Sequence, residues 1–134
     1  MSAYTDLTAF KVAISTATTK PTLDLKQERD LGAANSLPAA YVVAFVTSRS
    51  IDQPARMNGT FDPRGYRLTT RVMAKESIIS GYELERLVRV AFAPPAQVDL
   101  GGVPVDVRYE TGGGDFAVDD AGYFYASTDY IYVR

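Results

Sequence analysis

Residues 66–75 read YRLTTRVMAK and alternate more strictly than any other stretch of the chain. Tyr66, Leu68, Thr70, Val72 and Ala74 fall on one side of an extended strand; Arg67, Thr69, Arg71, Met73 and Lys75 fall on the other. One side is apolar and the other basic, so the strand belongs to a sheet with one face on a core. Upstream, residues 40–48 (AYVVAFVTS) are β-branched and aromatic on both sides. That composition suits a strand covered on both faces, or by helices on one face and a neighbouring subunit on the other. Residues 49–65 lie between the two, contain Pro54, Gly59, Pro63 and Gly65, and keep no period, which predicts a long loop. The two strands are expected to form an antiparallel hairpin across it.

Helices flank this hairpin in sequence. Downstream, Leu84, Leu87, Val88, Ala91 and Phe92 recur at helical spacing, with Leu87 at the centre of the stripe. Ser80 and Glu83 match a capping box, Ile79 with Leu84 a hydrophobic staple, and Glu85 with Arg89 an ion pair on the exposed side. Pro94-Pro95 stops the helix. Near the N-terminus, Leu7, Phe10, Ile14 and Ala17 predict a helix over 5–18, with Thr5 as N-cap and Asp6 near the positive end of its dipole. Residues 19–38 read as a connecting arm with a short helical turn near 25–31. Beyond the second helix, Val103, Val105, Val107 and Tyr109 alternate with polar residues, and 123–134 form a last strand. The expectation is one α+β domain over 1–134: a four-stranded, largely antiparallel sheet, two main helices packed on one side, in the order α-β-β-α-β-β.

Composition narrows the chemistry. The chain has no Cys, which excludes disulfides and thiolate–metal sites, and no His, which removes the commonest general base and neutral metal ligand. We therefore expect no enzyme, no cofactor and no metal. The first residues, MSAYTDLTAFKVA, do not read as a signal peptide, and no apolar run is long enough to span a bilayer; the expected setting is soluble and cytoplasmic at synthesis, with no membrane partner. The net charge of −2 hides an asymmetry, +3 over residues 1–98 and −5 over 99–134. It reads either as a solvated acidic end or as two complementary patches that join identical subunits head to tail.

Several constellations bear on function. Gly112-Gly113-Gly114 lacks the Lys-Ser/Thr of a phosphate loop and reads as a flexible turn. Asp115, Asp119 and Asp120 miss the spacing of a calcium loop and read as solvated turn residues. Arg49, Arg56, Arg64 and Arg67 give residues 49–67 a net +2 against Asp52 and Asp62, and long loops in small domains are commonly functional. Such a loop can dock on an acidic protein surface, the favoured reading, or touch DNA backbone. Four of the nine tyrosines, Tyr123, Tyr125, Tyr130 and Tyr132, crowd into the last strand, more than one buried face requires. They are candidate interface residues with the arginines, or else the strand is covered on both faces within the monomer.

The layout resembles the tail terminator proteins of long-tailed bacteriophages, also called tail completion or tail-to-head joining proteins. The resemblance is carried by the order of elements, the Tyr-x-Leu-x-Thr-x-Val strand at 66–72, Leu-x-x-Leu-Val at 84–88, VPVDVRYE at 103–110 and Asp-Asp-x-Gly-Tyr at 119–123. It implies a hexameric ring at the tail–neck junction of the virion, assembled in the host cytoplasm, that caps the tail tube. Its implied partners are the tail tube protein and the head–tail connector or stopper protein, with DNA passing through the lumen. Head-completion (stopper) proteins are similar in size and remain an alternative, as does a Tyr-rich module for a peptide or small molecule.

Overall fold

The computed structural model describes residues 3–49 and 65–133. The chain runs through α1 (Ala3–Thr18), β1 (Thr22–Leu23), α2 (Leu25–Ala33), β2 (Ala40–Arg49), β3 (Gly65–Ala74) and α3 (Ile78–Phe92). Five further strands follow: β4 (Val98–Leu100), β5 (Val103–Val105), β6 (Arg108–Gly112), β7 (Ala117–Val118) and β8 (Phe124–Val133). The main sheet has the order β1-β2-β3-β8-β6, with β7 beside β6 on the outer side of β8. β1 is parallel to β2 and all other pairs are antiparallel, while β4 and β5 form a separate ribbon.

The fold is therefore α+β, but the expected four-stranded sheet and its α-β-β-α-β-β order are corrected to a mixed six-stranded sheet plus a two-stranded ribbon. The strands that sequence reading missed are two or three residues long, too short to display a period. The expected single strand over VPVDVRYE is split: β5 stays in the ribbon, and after Asp106 and Val107 the chain turns onto the main sheet as β6.

Alternation along β2, β3 and β8 produces two cores. Val42, Ala44, Leu68, Val72, Tyr130 and Tyr132 share one face, where α1 brings Phe10 and Ile14 and α3 brings Leu84, Val88 and Phe92. The ribbon closes this core with Val98, Leu100 and Val105. On the other face Tyr41, Val43, Met73 and Tyr123 form a smaller cluster with Leu23, Leu31 and Leu37. α2 covers only that end of the second face, so the three helices are not all on one side.

Residues 19–38 are consequently more than an arm. Asp24 caps α2 by accepting from the Gln27 amide at 2.7 Å, and the Gln27 side chain accepts from the Asp24 amide at 3.0 Å. This D-x-x-Q capping box was legible in sequence and was missed. α1 begins at Ala3, which places Thr5 inside its first turn rather than at the cap. α3 begins at Ile78, because the Ser77 hydroxyl accepts from the Ser80 amide at 3.1 Å; Ser80 is thus within the first turn, and Glu83 turns outward to Arg86. Ile79 is 74% exposed and forms no staple. The buried stripe of α3 is Gly81, Leu84, Val88 and Phe92, with Leu87 half-buried at its margin.

Leu84→Ala is expected to cost about 2–5 kcal/mol, the range for a fully buried leucine. Leu87→Ala should cost less than about 2 kcal/mol. Denaturant melts of the two variants check the order, and equal losses would contradict this packing.

Candidate interaction surface

The second face of the sheet beyond α2 is polar, and it is electrically compensated. Arg67 on β3 reaches across β8 to Glu110 on β6 at 3.0 Å and lies 4.0 Å from Asp129 on β8. Thr69 donates to the same Asp129 carboxylate at 2.8 Å. One pair of residues along β3, Arg71 ion-pairs with Glu28 of α2, and the Tyr41 hydroxyl donates to the other Glu28 oxygen at 2.8 Å. The basic side read from residues 66–75 is therefore met by acids from three other elements. Among the four candidate arginines, Arg67 is a cross-strand anchor, and Arg49 is placed by backbone pairing with Gly65. Arg56 and Arg64 lie outside the described residues.

Three of the four candidate tyrosines are interior. Tyr130 is 1% exposed and packs edge-on against Phe92, their ring centres 5.0 Å apart. Tyr132, also buried, stacks on Tyr66 and donates to Asp6 at 2.9 Å. Tyr123 donates to the Pro38 carbonyl at 2.6 Å and lies edge-on to Tyr41. Tyr125 is half-buried beside the second cluster. Of the interface candidates, Tyr130 and Tyr132 are thus buried in the first core and Tyr123 in the second, while the second face of β8 is covered only near Tyr125 and leaves Ser127 and Val133 exposed.

A ledge on α3 went unread in the sequence. Glu85 and Arg89 are 2.7 Å apart, but the pair is folded against the sheet edge and the Glu85 side chain is only 13% exposed. The Arg89 guanidinium sits 4.2 Å from the centre of the Tyr109 ring and donates to the Gly112 carbonyl at 3.4 Å. The expected exposed ion pair is thus a clamp between α3 and β6. It borders a cleft of about 800 Å³ floored by Val90, Phe92 and Tyr130. The clamp also explains the middle one of the three glycines. Gly113 has φ +77°, and a Cβ there would overlap both the Glu85 carboxylate and the Arg89 guanidinium. The spacing of Glu85 and Arg89 was visible; their third partner, far away in sequence, was not.

No family model and no curated protein matches this sequence. A solved structure known only by a sequence identifier does resemble it. The likeness has a TM-score of 0.67 and covers 99% of this chain and 95% of the other, at 16% identity. At that identity the likeness is one of fold.

The acidic turn is held locally. The Asp119 carboxylate accepts from the amides of Ala121 and Tyr123, both at 2.9 Å, closing the turn between β7 and β8. Among the described residues no group of three or more Asp or Glu side chains could hold a metal ion. No helix among them is long and apolar enough to cross a membrane.

Burial holds the Tyr130 phenol above its ordinary pKa, and burial followed by the Glu28 hydrogen bond does the same for Tyr41. Both folded-state values are raised, so their contribution to stability is full below the unfolded tyrosine pKa of about 10 and falls as pH rises above it. The Tyr130 hydroxyl has no hydrogen-bond partner among the described residues, whereas Tyr132 donates to a carboxylate. Tyr130→Phe should therefore leave stability at pH 7 unchanged or slightly higher and weaken the alkaline loss. Tyr132→Phe should cost about 1–3 kcal/mol at pH 7. Melts between pH 7 and 11 test both, and a larger loss for Tyr130→Phe would refute the assignment. Gly113→Ala is expected to cost on the order of 1–3 kcal/mol from backbone strain and displacement of the clamp, read by the same melts.

Proposed function

We propose that this chain is a non-enzymatic assembly protein of a long-tailed bacteriophage virion, a tail terminator. Identical subunits close into a ring, six in the family it resembles, that ends the tail tube and presents a surface to the head–neck connector. What supports the reading is the distribution of charge across the sheet. β1 and β2 flank one side and carry no acidic residue. β6 and β7 flank the other side, with Glu110, Asp115, Asp119 and Asp120 on and between them and in the turn that follows. Acids thus gather on one flank of the sheet and are absent from the strands of the other, an inequality that favours head-to-tail contacts over self-complementary ones. The element order and the residue pattern of the family add to this, and the tail tube protein, the connector or stopper and DNA in the lumen are its partners. A Tyr-rich binding module loses its platform to the burial of Tyr123, Tyr130 and Tyr132.

Light scattering and negative-stain micrographs, of the protein alone and with tail tube protein, test the proposal. A closed ring and tubes that stop growing on its addition are expected. A strict monomer in both settings would overturn it.

A further inference from the structure

Resting on that ring, we propose that neighbouring subunits join through their sheets: β6 of one copy adds as an antiparallel strand to the outer half of β2 in the next. β1 covers β2 only where Thr22 and Leu23 meet Val42 and Val43. There the Val42 amide donates outward to the Pro21 carbonyl at 3.0 Å. Backbone groups alternate sides along a strand, so Val46 and Ser48 direct theirs to the same outer side. No strand among the described residues pairs with them. Among the described residues β6 pairs only with β8, with a bulge between Tyr109 and Thr111; no strand lies on its outer edge, where the Gly112 carbonyl accepts from the Arg89 and Tyr109 side chains. Uncovered edges of this kind are templates for another strand, and residues 45–47, Phe-Val-Thr, carry no proline or charge to block one.

Two features match the two edges to each other. The first is height. Arg108 aligns with Ile131, Ile131 with Arg67, and Arg67 with Thr47; Thr111 traces through Asp129 and Thr69 to Phe45. β6 therefore stands level with the free half of β2, and a neighbour needs no axial shift to meet it, which is the condition for a closed ring rather than a helix. β7 stands at the other level, through Tyr125 and Met73 to Tyr41, beside the end that β1 occupies. The second is direction. β2, β3, β8 and β6 alternate strictly, and four is even, so rotation about the ring axis sets β6 antiparallel to the next β2 and continues the alternation.

The absence of cysteine makes the test clean. Thr47 and Arg108 are both exposed and share one sheet face, so a chain carrying Thr47→Cys and Arg108→Cys should, on oxidation, give a ladder of covalent multimers that collapses under reductant. Neither single variant should give a ladder, and Thr47→Cys with Glu110→Cys reads a register shifted by two residues. Independently, Ser48→Pro removes an outward amide and should convert rings to monomers with an unchanged circular dichroism spectrum. Rings that persist in micrographs with no ladder from either pair and no effect of the proline would overturn the edge contact and leave the ring standing. If no ring forms under any condition, both the contact and the ring are overturned.

Discussion

β3 is hydrogen-bonded along its whole length to β2 on one side and to β8 on the other, in continuous register from Gly65 to Ala74. Every other element takes its position from this pairing. Because side chains alternate, a single residue of slip would exchange Leu68 and Val72 for Arg67 and Arg71 under α1 and α3. The two faces are unequal in chemistry, and that inequality holds the register. The larger core accepts only apolar side chains from β3 and Thr70, whose hydroxyl lies 3.5 Å from the Thr128 carbonyl. The smaller core admits Arg71 because Glu28 and Tyr41 meet it there.

Charges on the second face follow from the same register. Arg67, Glu110 and Asp129 come from three neighbouring strands and converge only because β3, β8 and β6 are adjacent. Partly exposed, the cluster contributes modestly to stability. Its larger effect is to tie the edge strand β6 to the centre of the sheet. The Glu85–Arg89 clamp ties β6 from the opposite face, with Tyr109 beneath the guanidinium. A bulged strand that pairs on one side only among the described residues is thereby fixed from above and below. That preorganisation is what an edge needs if it is to receive a partner without a large ordering cost.

The proposed assembly role draws on the flanks of the sheet rather than on a pocket. β2 and β6 differ in length, charge and direction, so two copies cannot meet symmetrically through them. Contacts between unlike edges propagate, and they close only where the edges lie at one height, as β6 and the outer half of β2 do. The fold likeness at 16% identity shows that the sheet framework itself tolerates wide sequence change.

The local pattern by itself determined strands over 40–48 and 66–75, observed at 40–49 and 65–74, the amphipathic stretch of α3 and the α+β class, because each is a periodicity read within one segment. It also contained the capping box of α2, passed over because Asp24 and Gln27 precede no apolar run. It could not supply β1, β4 or β7, whose two or three residues exist as strands only because a longer neighbour is in place. The tyrosines mark the boundary most sharply. Their number in the last strand was plain, and an outward set was one reading of it, but whether a second layer covers β8 depends on where α2 and Leu37 are brought back, through contacts distant in sequence. Gly113 is the same case in miniature. Its turn was legible from composition, while the demand for glycine comes from Glu85 and Arg89 on a helix that only the tertiary structure lays against it.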